Sequence, residues 1–275
     1  MKTILVISDH TPEAEHAAAF ALMLAQSIRA NILLADTINV AQLSKEEPVL
    51  AMAGETQTED KPKSLKDRLE SQMNHNLGYV PVIEEIDISE FDATKLAETI
   101  NKNQISLLVK GMPDTLQTTG NVKLNIQAVL NKVLCPLLLI PKGWSLKNLE
   151  RIVYIADLRY CRLHVLKYLG KLALPNDASI SIAHLSAKGL TDIIDTYARS
   201  IFNDEIVPLV RYDNLSLNNI REKNLDKAVD VIINGMHTDL MAMVNHRFHF
   251  EKILGEQIGQ VLPPEITIPV LIFPI

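Results

Sequence analysis

"ILVISDHTPEAEHAAAFALMLAQSIRANILLAD" runs from Ile4 to Asp36. It opens on a continuous apolar run, turns through a polar stretch and closes on a second apolar run. Between them Thr11 is placed to cap a helix, and Pro12 suits the first helical position. Glu13 and Glu15 complement the positive end of the helix dipole. Phe20, Leu24 and Ile28, with Ala17 and Ala21, form an apolar stripe at i, i+4 spacing. The segment therefore reads strand, helix, strand. Apolar runs that do not alternate belong to strands buried on both faces, as in a parallel sheet covered by helices.

The same pattern returns later in the chain. "ILVISD" ends at Asp9 and "IVYIAD" at Asp157, an offset of 148. "ANILLAD" begins at Ala30 and "ASISIAH" at Ala178, again 148 apart. Two further apolar runs, "SLLVKGM" and "VDVIINGM", read as strands and carry Gly111 and Gly235, which are 124 apart. The closing runs "PLLLIP" at Pro136 and "PVLIFP" at Pro269 are 133 apart. A duplicated unit with two local length differences accounts for all four offsets. The first copy would hold 24 extra residues between its second and fourth strands, within Ala41–Ser64. The second would hold nine extra residues between its glycine loop and its last strand. The 41–64 stretch is polar, with two prolines and mixed charges, and reads as an exposed loop.

The expected organisation is two α/β domains, residues 1–143 and 149–275, joined by "KGWSLKN". Trp144 in that linker reads as a packing anchor between the lobes. Nearly half of the 275 residues are hydrophobic, enough for sizeable cores. The net charge is −6; residues 1–143 hold 13 basic and 18 acidic side chains, the remainder 14 and 15. Neither half has the basic excess of a nucleic-acid binder. Only two cysteines, Cys135 and Cys161, are present, which fits reduced thiols in a cytosol better than a disulfide framework. The first apolar run is too short for a signal peptide, and no run approaches the roughly 20 residues of a membrane span. The expected location is therefore cytoplasmic, with neither membrane nor nucleic acid as partner.

"ALMLAQSIRANILLADTI" resembles the signature of the universal stress protein family, in which an Ala-Leu-rich helix precedes a strand of the same character. "CPLLLIPKG" and "IPVLIFP" are similar to that family's final strand, and Asp9 and Asp157 match its acid after the first strand. The resemblance implies two Rossmann-like domains of the adenine nucleotide alpha hydrolase kind. Each would have a five-stranded parallel sheet covered by helices, and the two would form a pseudo-dimer. It also implies a role in stress physiology. Many members bind ATP or AMP through a glycine-rich stretch after the fourth strand: G-x-x-G, nine residues, then G-S or G-T.

Here that stretch is eroded. Glycines let backbone approach phosphate oxygens, and a hydroxyl at the next helix adds a donor. Gly111 is present, but the second glycine falls on Asp114, and the G-S pair falls near Lys123–Asn125. Gly120 there is a relic or a turn. In the second copy Gly235 is followed by Thr238, and the later pair reads Gly255-Glu256. Two like charges about 4 Å apart cost roughly 4 kcal/mol at an effective dielectric of about 20. A helix N-terminus returns only about 0.3–1 kcal/mol. A phosphate clamp is thus disfavoured in both copies. Asp9 and Asp157 either meet an adenosine or cap the first turn.

The nucleotide-binding candidates are Asp9, Gly111, Asp157, Gly235, His237 and Gly255. His237, His246 and His249 near Asp239 lack the cysteine or carboxylate spacing of a metal site, so none is expected. Cys135 reads as buried and inert. Cys161, at a helix start where a thiol pKa can fall, is the more interesting thiol. Ser8-Asp9-His10 has a triad's composition but, as neighbours, not its geometry. Met236, Met241 and Met243 read as core or loop filling. The expectation is a stress-response or interaction protein without enzymatic activity, resident cofactor or catalytic residues, and with weak or absent ATP binding. The alternative is an ATP- or AMP-binding sensor working mainly through the second domain. The closing strands are expected to pair within the chain. A homodimer and an unidentified protein partner remain open.

Overall fold

The computed structural model describes residues 2–38, 64–75, 78–113, 124–187, 189–222, 224–247, 249–255 and 258–275. The calls on residues 41–63, Asp114, Gly120, Lys123 and Glu256 lie outside these.

The opening stretch folds as its pattern requires. β1 (Lys2–Ser8), α1 (Pro12–Ile28) and β2 (Ala30–Asp36) follow one another with β1 and β2 parallel. Thr11 accepts a hydrogen bond from the Ala14 N–H through its side chain, and Pro12 sits in the first turn. α1 ends where Arg29 turns left-handed and donates its N–H to the Ala25 carbonyl. The first half is completed by α2 (Leu65–Gln72), β3 (Ile83–Asp87), α3 (Ala93–Lys102), β4 (Ile105–Met112), α4 (Ile126–Leu130) and β5 (Leu137–Pro141).

The second half begins with β6 (Arg151–Ala156), a 3₁₀ turn Leu158–Tyr160, α5 (Leu163–Ala173) and β7 (Ser179–His184). A helix α6 (Asp195–Ser200) winds on through a π-helical segment, Ile201–Ile206, into Val207–Val210. Then come β8 (Leu215–Asn219), α7 (Leu225–Asp230) continuing as a π-helical turn Val231–Gly235, β9 (Leu240–Val244), α8 (Phe250–Leu254) and β10 (Val270–Phe273).

The ten strands form one continuous sheet, in the order β3-β2-β1-β4-β5-β10-β9-β6-β7-β8. Each half therefore has the order 3-2-1-4-5, and all its neighbours are parallel. The halves meet at a single antiparallel pair, β5 with β10. This buries both closing strands in mid-sheet and, among the described residues, leaves the short strands β3 and β8 as edges. Because that pair is antiparallel, the amino edge of one half lies beside the carboxyl edge of the other. Side chains stitch the seam. Asn245, fully buried at the end of β9, donates through Nδ2 to Asn131 Oδ1 at 3.0 Å and accepts from Gln127 Nε2 at 3.1 Å. The Tyr168 hydroxyl of α5 donates to the Ser106 carbonyl of β4 at 3.0 Å, and its ring meets Phe273 edge-on at 5.3 Å. Trp144, 9% exposed, joins the core beside Ile233 and Ile268.

Two expectations need correction. "DVIIN" is helical, not a strand: Ala228, Val229, Ile232 and Ile233 are buried while Val231 is 44% exposed, which is helical spacing. The fourth strand of the second half is instead "LMAMV", Leu240–Val244, where Met241 and Met243 are buried. The insertions move accordingly. In the two registers Ile83 and Leu215 occupy corresponding places, 132 apart, while Leu108 and Met241 are 133 apart. Leu137 and Val270 are also 133 apart. The offset falls from 148 to 132 between the second and third strands. So the first half holds 16 extra residues there, and the second half has no nine-residue insertion before its last strand.

Candidate functional site

In an open α/β sheet, ligands enter the crevice outside the carboxyl ends of the strands, where the strand order reverses. Each half has one such point: between β1 and β4, and between β6 and β9.

In the first half the first turn of α1 packs closely against this point. A Cβ placed on Gly111 would lie 2.2 Å from the Glu13 carbonyl oxygen and 2.9 Å from the Ala14 nitrogen. The glycine therefore admits the first turn of α1 against β4, a packing role. Asp9 accepts from the Thr11 hydroxyl at 2.6 Å and from the Thr11 N–H at 3.2 Å, which fixes the turn into α1. Lys110 Nζ reaches the Gly111 carbonyl at 3.3 Å, and burial pulls its ammonium pKa down against the opposing pull of Asp9.

In the second half the point is open. The residue corresponding to Gly111 is Val244, 133 further on. A side chain there removes the space that lets α1 approach β4. The helix starts later: α1 begins three residues after Asp9, but α5 begins six after Asp157, following the 3₁₀ turn. The withdrawn turn leaves a cavity of about 260 Å³. Its floor is Tyr154, Ile155, Leu185 and Met243; Tyr160, Cys161, Arg162, Arg247 and His249 stand around it. His249 donates its Nε2–H to the Ser186 carbonyl at 2.9 Å, which holds the ring in place.

Asp157, fully buried, directly follows Ala156 of the cavity wall. Arg159 grips it with two charge-assisted bonds, Nε to Oδ1 at 2.8 Å and a terminal nitrogen to Oδ2 at 2.6 Å. The Arg159 N–H adds a bond to Oδ1 at 3.1 Å and the Ala187 N–H one to Oδ2 at 2.9 Å. Burial pushes the carboxyl pKa up, but the bonds from Arg159 and Ala187 outweigh it, and the group sits below its ordinary value. His184, 1% exposed, accepts the Leu158 N–H through Nδ1 at 3.0 Å. Its Nε2 is therefore the protonated nitrogen, and among the described residues it finds no partner. Burial pulls the His184 pKa down, against the opposing pull of Asp157.

The other sequence candidates are scattered. Gly235 ends the π-helical turn, where a Cβ would touch only the Val231 side chain, at 3.6 Å. His237, left-handed at φ 51°, lines an open recess at the opposite, amino edge with Trp144, Lys147 and Asp239. Asp239 is committed there: it accepts the Glu150 and Arg151 N–H groups, each at 2.9 Å, and pairs with Lys147 Nζ at 2.6 Å. Gly255 ends α8 at φ 75° with open space around it. So Gly235 and His237 lie at the other end of the sheet from Asp157. The three histidines do not converge either, since His246 contacts Gln127 and Glu251 near the seam. Among the described residues no group of three or more His, Cys, Asp or Glu is arranged to hold a metal. The reading of Cys161 as a thiol of lowered pKa is overturned: burial pushes it up to about 12, as it does Cys135. Arg159, Arg162 and Arg247 escaped sequence reasoning. Only Arg159, two residues from Asp157, carried a local signal.

Residues 1–141 match the model of the Universal stress protein family. Among solved structures, a universal stress protein from Archaeoglobus fulgidus DSM 4304 superposes with a TM-score of 0.62 at 12% identity, covering 99% of this chain and 98% of that one. A functionally unknown protein from Pseudomonas aeruginosa PAO1 gives 0.54 at 13%, covering 100% of this chain and 92% of that one. At these identities the likeness is one of fold. No curated protein matches significantly.

Proposed function

Since the chain belongs to the universal stress protein family, we propose that it serves as a stress-response and interaction protein that binds ATP weakly or not at all. The observation that carries this is the state of Asp157. All the bonds just described converge on one carboxylate, so an adenosine would have to displace Arg159 to use it. In the first half the α1 backbone packs closely against Gly111 at the corresponding crevice. The protein acts by binding, without catalysis: both thiols are held protonated by burial and are poor nucleophiles. Its place is the cytoplasm. Among the described residues no helix is long and apolar enough to cross a membrane. The closing strands already pair with each other within the chain, so a homodimer or a protein partner would use another surface.

The second reading, an ATP or AMP sensor, has one observation in its favour: the cavity between β6 and β9 is open. Titration calorimetry of the intact chain with ATP plus magnesium, AMP and adenosine separates the two. The proposal expects ATP to bind no tighter than about 100 μM, roughly −5.5 kcal/mol, with AMP and adenosine comparable. Micromolar ATP binding that weakens when the γ-phosphate is removed would replace it with the sensor.

A further inference from the structure

We propose that the outer edge of β8 is a self-association surface, on which a second copy of this chain adds its own β8 antiparallel and continues the sheet from one molecule into the next. The backbone carries the argument. β8 pairs with β7, Leu215 opposite Ile180 and Asn219 opposite His184. At the ends of this ladder the Ile180 N–H donates to the Asn214 carbonyl at 2.8 Å, and the Ile220 N–H to the His184 carbonyl at 3.0 Å. A parallel ladder engages every second residue of a strand, so Asn214, Ser216, Asn218 and Ile220 turn their peptide groups toward β7. Leu215, Leu217 and Asn219 turn theirs outward, and among the described residues no strand lies beyond them. An antiparallel copy set with Leu217 opposite Leu217 satisfies all of these groups. Leu217 then forms a hydrogen-bonded pair with its counterpart, and Leu215 pairs in the same way with Asn219 on each side. The three outward N–H groups of each copy meet the three outward carbonyls of the other.

Charge fits the same register. Carried two residues past the strand, it brings Asp213 of one copy toward Arg221 of the other, and does so at both ends. Both side chains are exposed. Among the described residues Asp213 has no ion pair, while Arg221 pairs with Asp195 of its own chain through one terminal nitrogen and keeps further donors. β8 itself, Leu215–Asn219, has neither the charge nor the proline that guards an edge. The opposite edge is guarded: β3 carries Glu84, Glu85 and Asp87, and its own self-pairing about Glu85 would set like charges face to face. A two-fold contact that uses β8 alone closes at a dimer. It lies away from the crevice between β6 and β9, so the inference does not rest on the ATP reading.

Sedimentation equilibrium of the intact chain should show monomer and dimer in exchange at micromolar concentrations. Amide exchange at Leu215 and Leu217 should slow as concentration rises, while Ser216 and Asn218, already bonded to β7, should not change. Leu217→Pro should abolish the dimer; the N–H it removes points away from β7, where an edge strand tolerates proline. Asp213→Arg and Arg221→Glu should each raise the dimer's dissociation constant by about tenfold or more, since each sets like charges opposite one another at both ends. An equimolar mixture of these two variants should dimerise as the parent does, because every end contact is then between opposite charges. Melting temperatures near the parent's would verify that both fold, and the mixing result holds even where Leu217→Pro does not fold. A chain still monomeric at about 100 μM, a dimer indifferent to a folded Leu217→Pro, or no recovery on mixing folded variants would each overturn the proposal. So would open-ended polymers, which joining β3 of one copy to β8 of the next would give.

Discussion

Leu138 and Leu271 face each other across the antiparallel join, each the middle residue of the pairing and each at the same place in its own half, 133 residues apart. Ile126 and Gly259 are also 133 apart and also touch: a Cβ on Gly259 would lie 2.9 Å from the Ile126 Cβ. Two self-corresponding contacts define an approximate two-fold axis through the seam. Both leucines are at most 1% exposed. Leu271→Glu would bury a charge with no partner in mid-sheet, and should cost about 3 kcal/mol or more. Urea denaturation should show the loss in one cooperative transition, because the strand belongs to both halves. Two transitions, with only the second shifted, would mean that the halves unfold separately.

Gly111→Ala should be destabilising by about 1–3 kcal/mol, since the new methyl meets backbone and not a side chain that can swing away. Gly143→Ala, where nothing lies within 4 Å, is the control and should leave the melting temperature nearly unchanged. Equal melting temperatures for the two variants would remove Gly111 from its packing role.

The β1-α1-β2 unit was legible because Thr11-Pro12 and the alanine stripe specify one helix, and its ungapped repeat at 148 is the register found in both halves. "VDVIING" was not. A short apolar run is compatible with strand or helix, and the exposed Asp230 and Val231 that decide the matter do so only once packing is known. "LMAMV" was missed as a strand because methionine has little β-preference, though burial on both faces makes any apolar residue acceptable there. β3 and β8 are edge strands, β3 mostly exposed after Ile83 and β8 alternating in exposure, and both lack the continuous apolar signal of the inner ones. The site was less legible still. The closure of Asp157 depends on Arg159 folding back in a 3₁₀ turn, and the cavity depends on Val244 standing where the other half has glycine.

Neither cysteine should react readily with a disulfide reagent in the native protein at pH 8. Burial raises both thiols to about 12, so the thiolate is scarce. DTNB should label both only after unfolding. Fast labelling of one thiol in the folded state, lost in Cys161→Ser, would show that the cavity activates it.

His184 makes stability depend on pH. Its folded pKa lies below the ordinary 6.5, so between the two values the unfolded chain binds the extra proton. Stability is then complete above about 6.5 and declines as pH falls toward the folded value. Burial is the main cause, and protonation would also end the bond from the Leu158 N–H to Nδ1. Asp157 and Arg159 face the same ring with opposite effects, and Asp192 adds a further favourable charge. His184→Asn should flatten the slope of stability between pH 7 and 5. An unaltered slope would assign it to other groups.

Arg159→Ala tests the closure of Asp157 itself. The bonds from Arg159 and Ala187 hold the carboxyl below its ordinary 3.8, so its contribution is present above 3.8 and is lost as pH falls through the folded value. Without the guanidinium, only the Ala187 and Arg159 backbone N–H groups remain to oppose burial. The folded pKa should then rise, and the loss should set in at higher pH. At neutral pH the variant should be less stable by about 2–4 kcal/mol, because a buried carboxylate has lost its counter-charge. Arg159→Ala with Asp157→Asn should recover part of that loss, since the amide carries no charge to strand. Acid denaturation of the two variants beside the parent chain decides the matter. If the single variant is as stable as the parent at pH 7, the fork is a surface ion pair of little consequence, and Asp157 is free for a ligand after all.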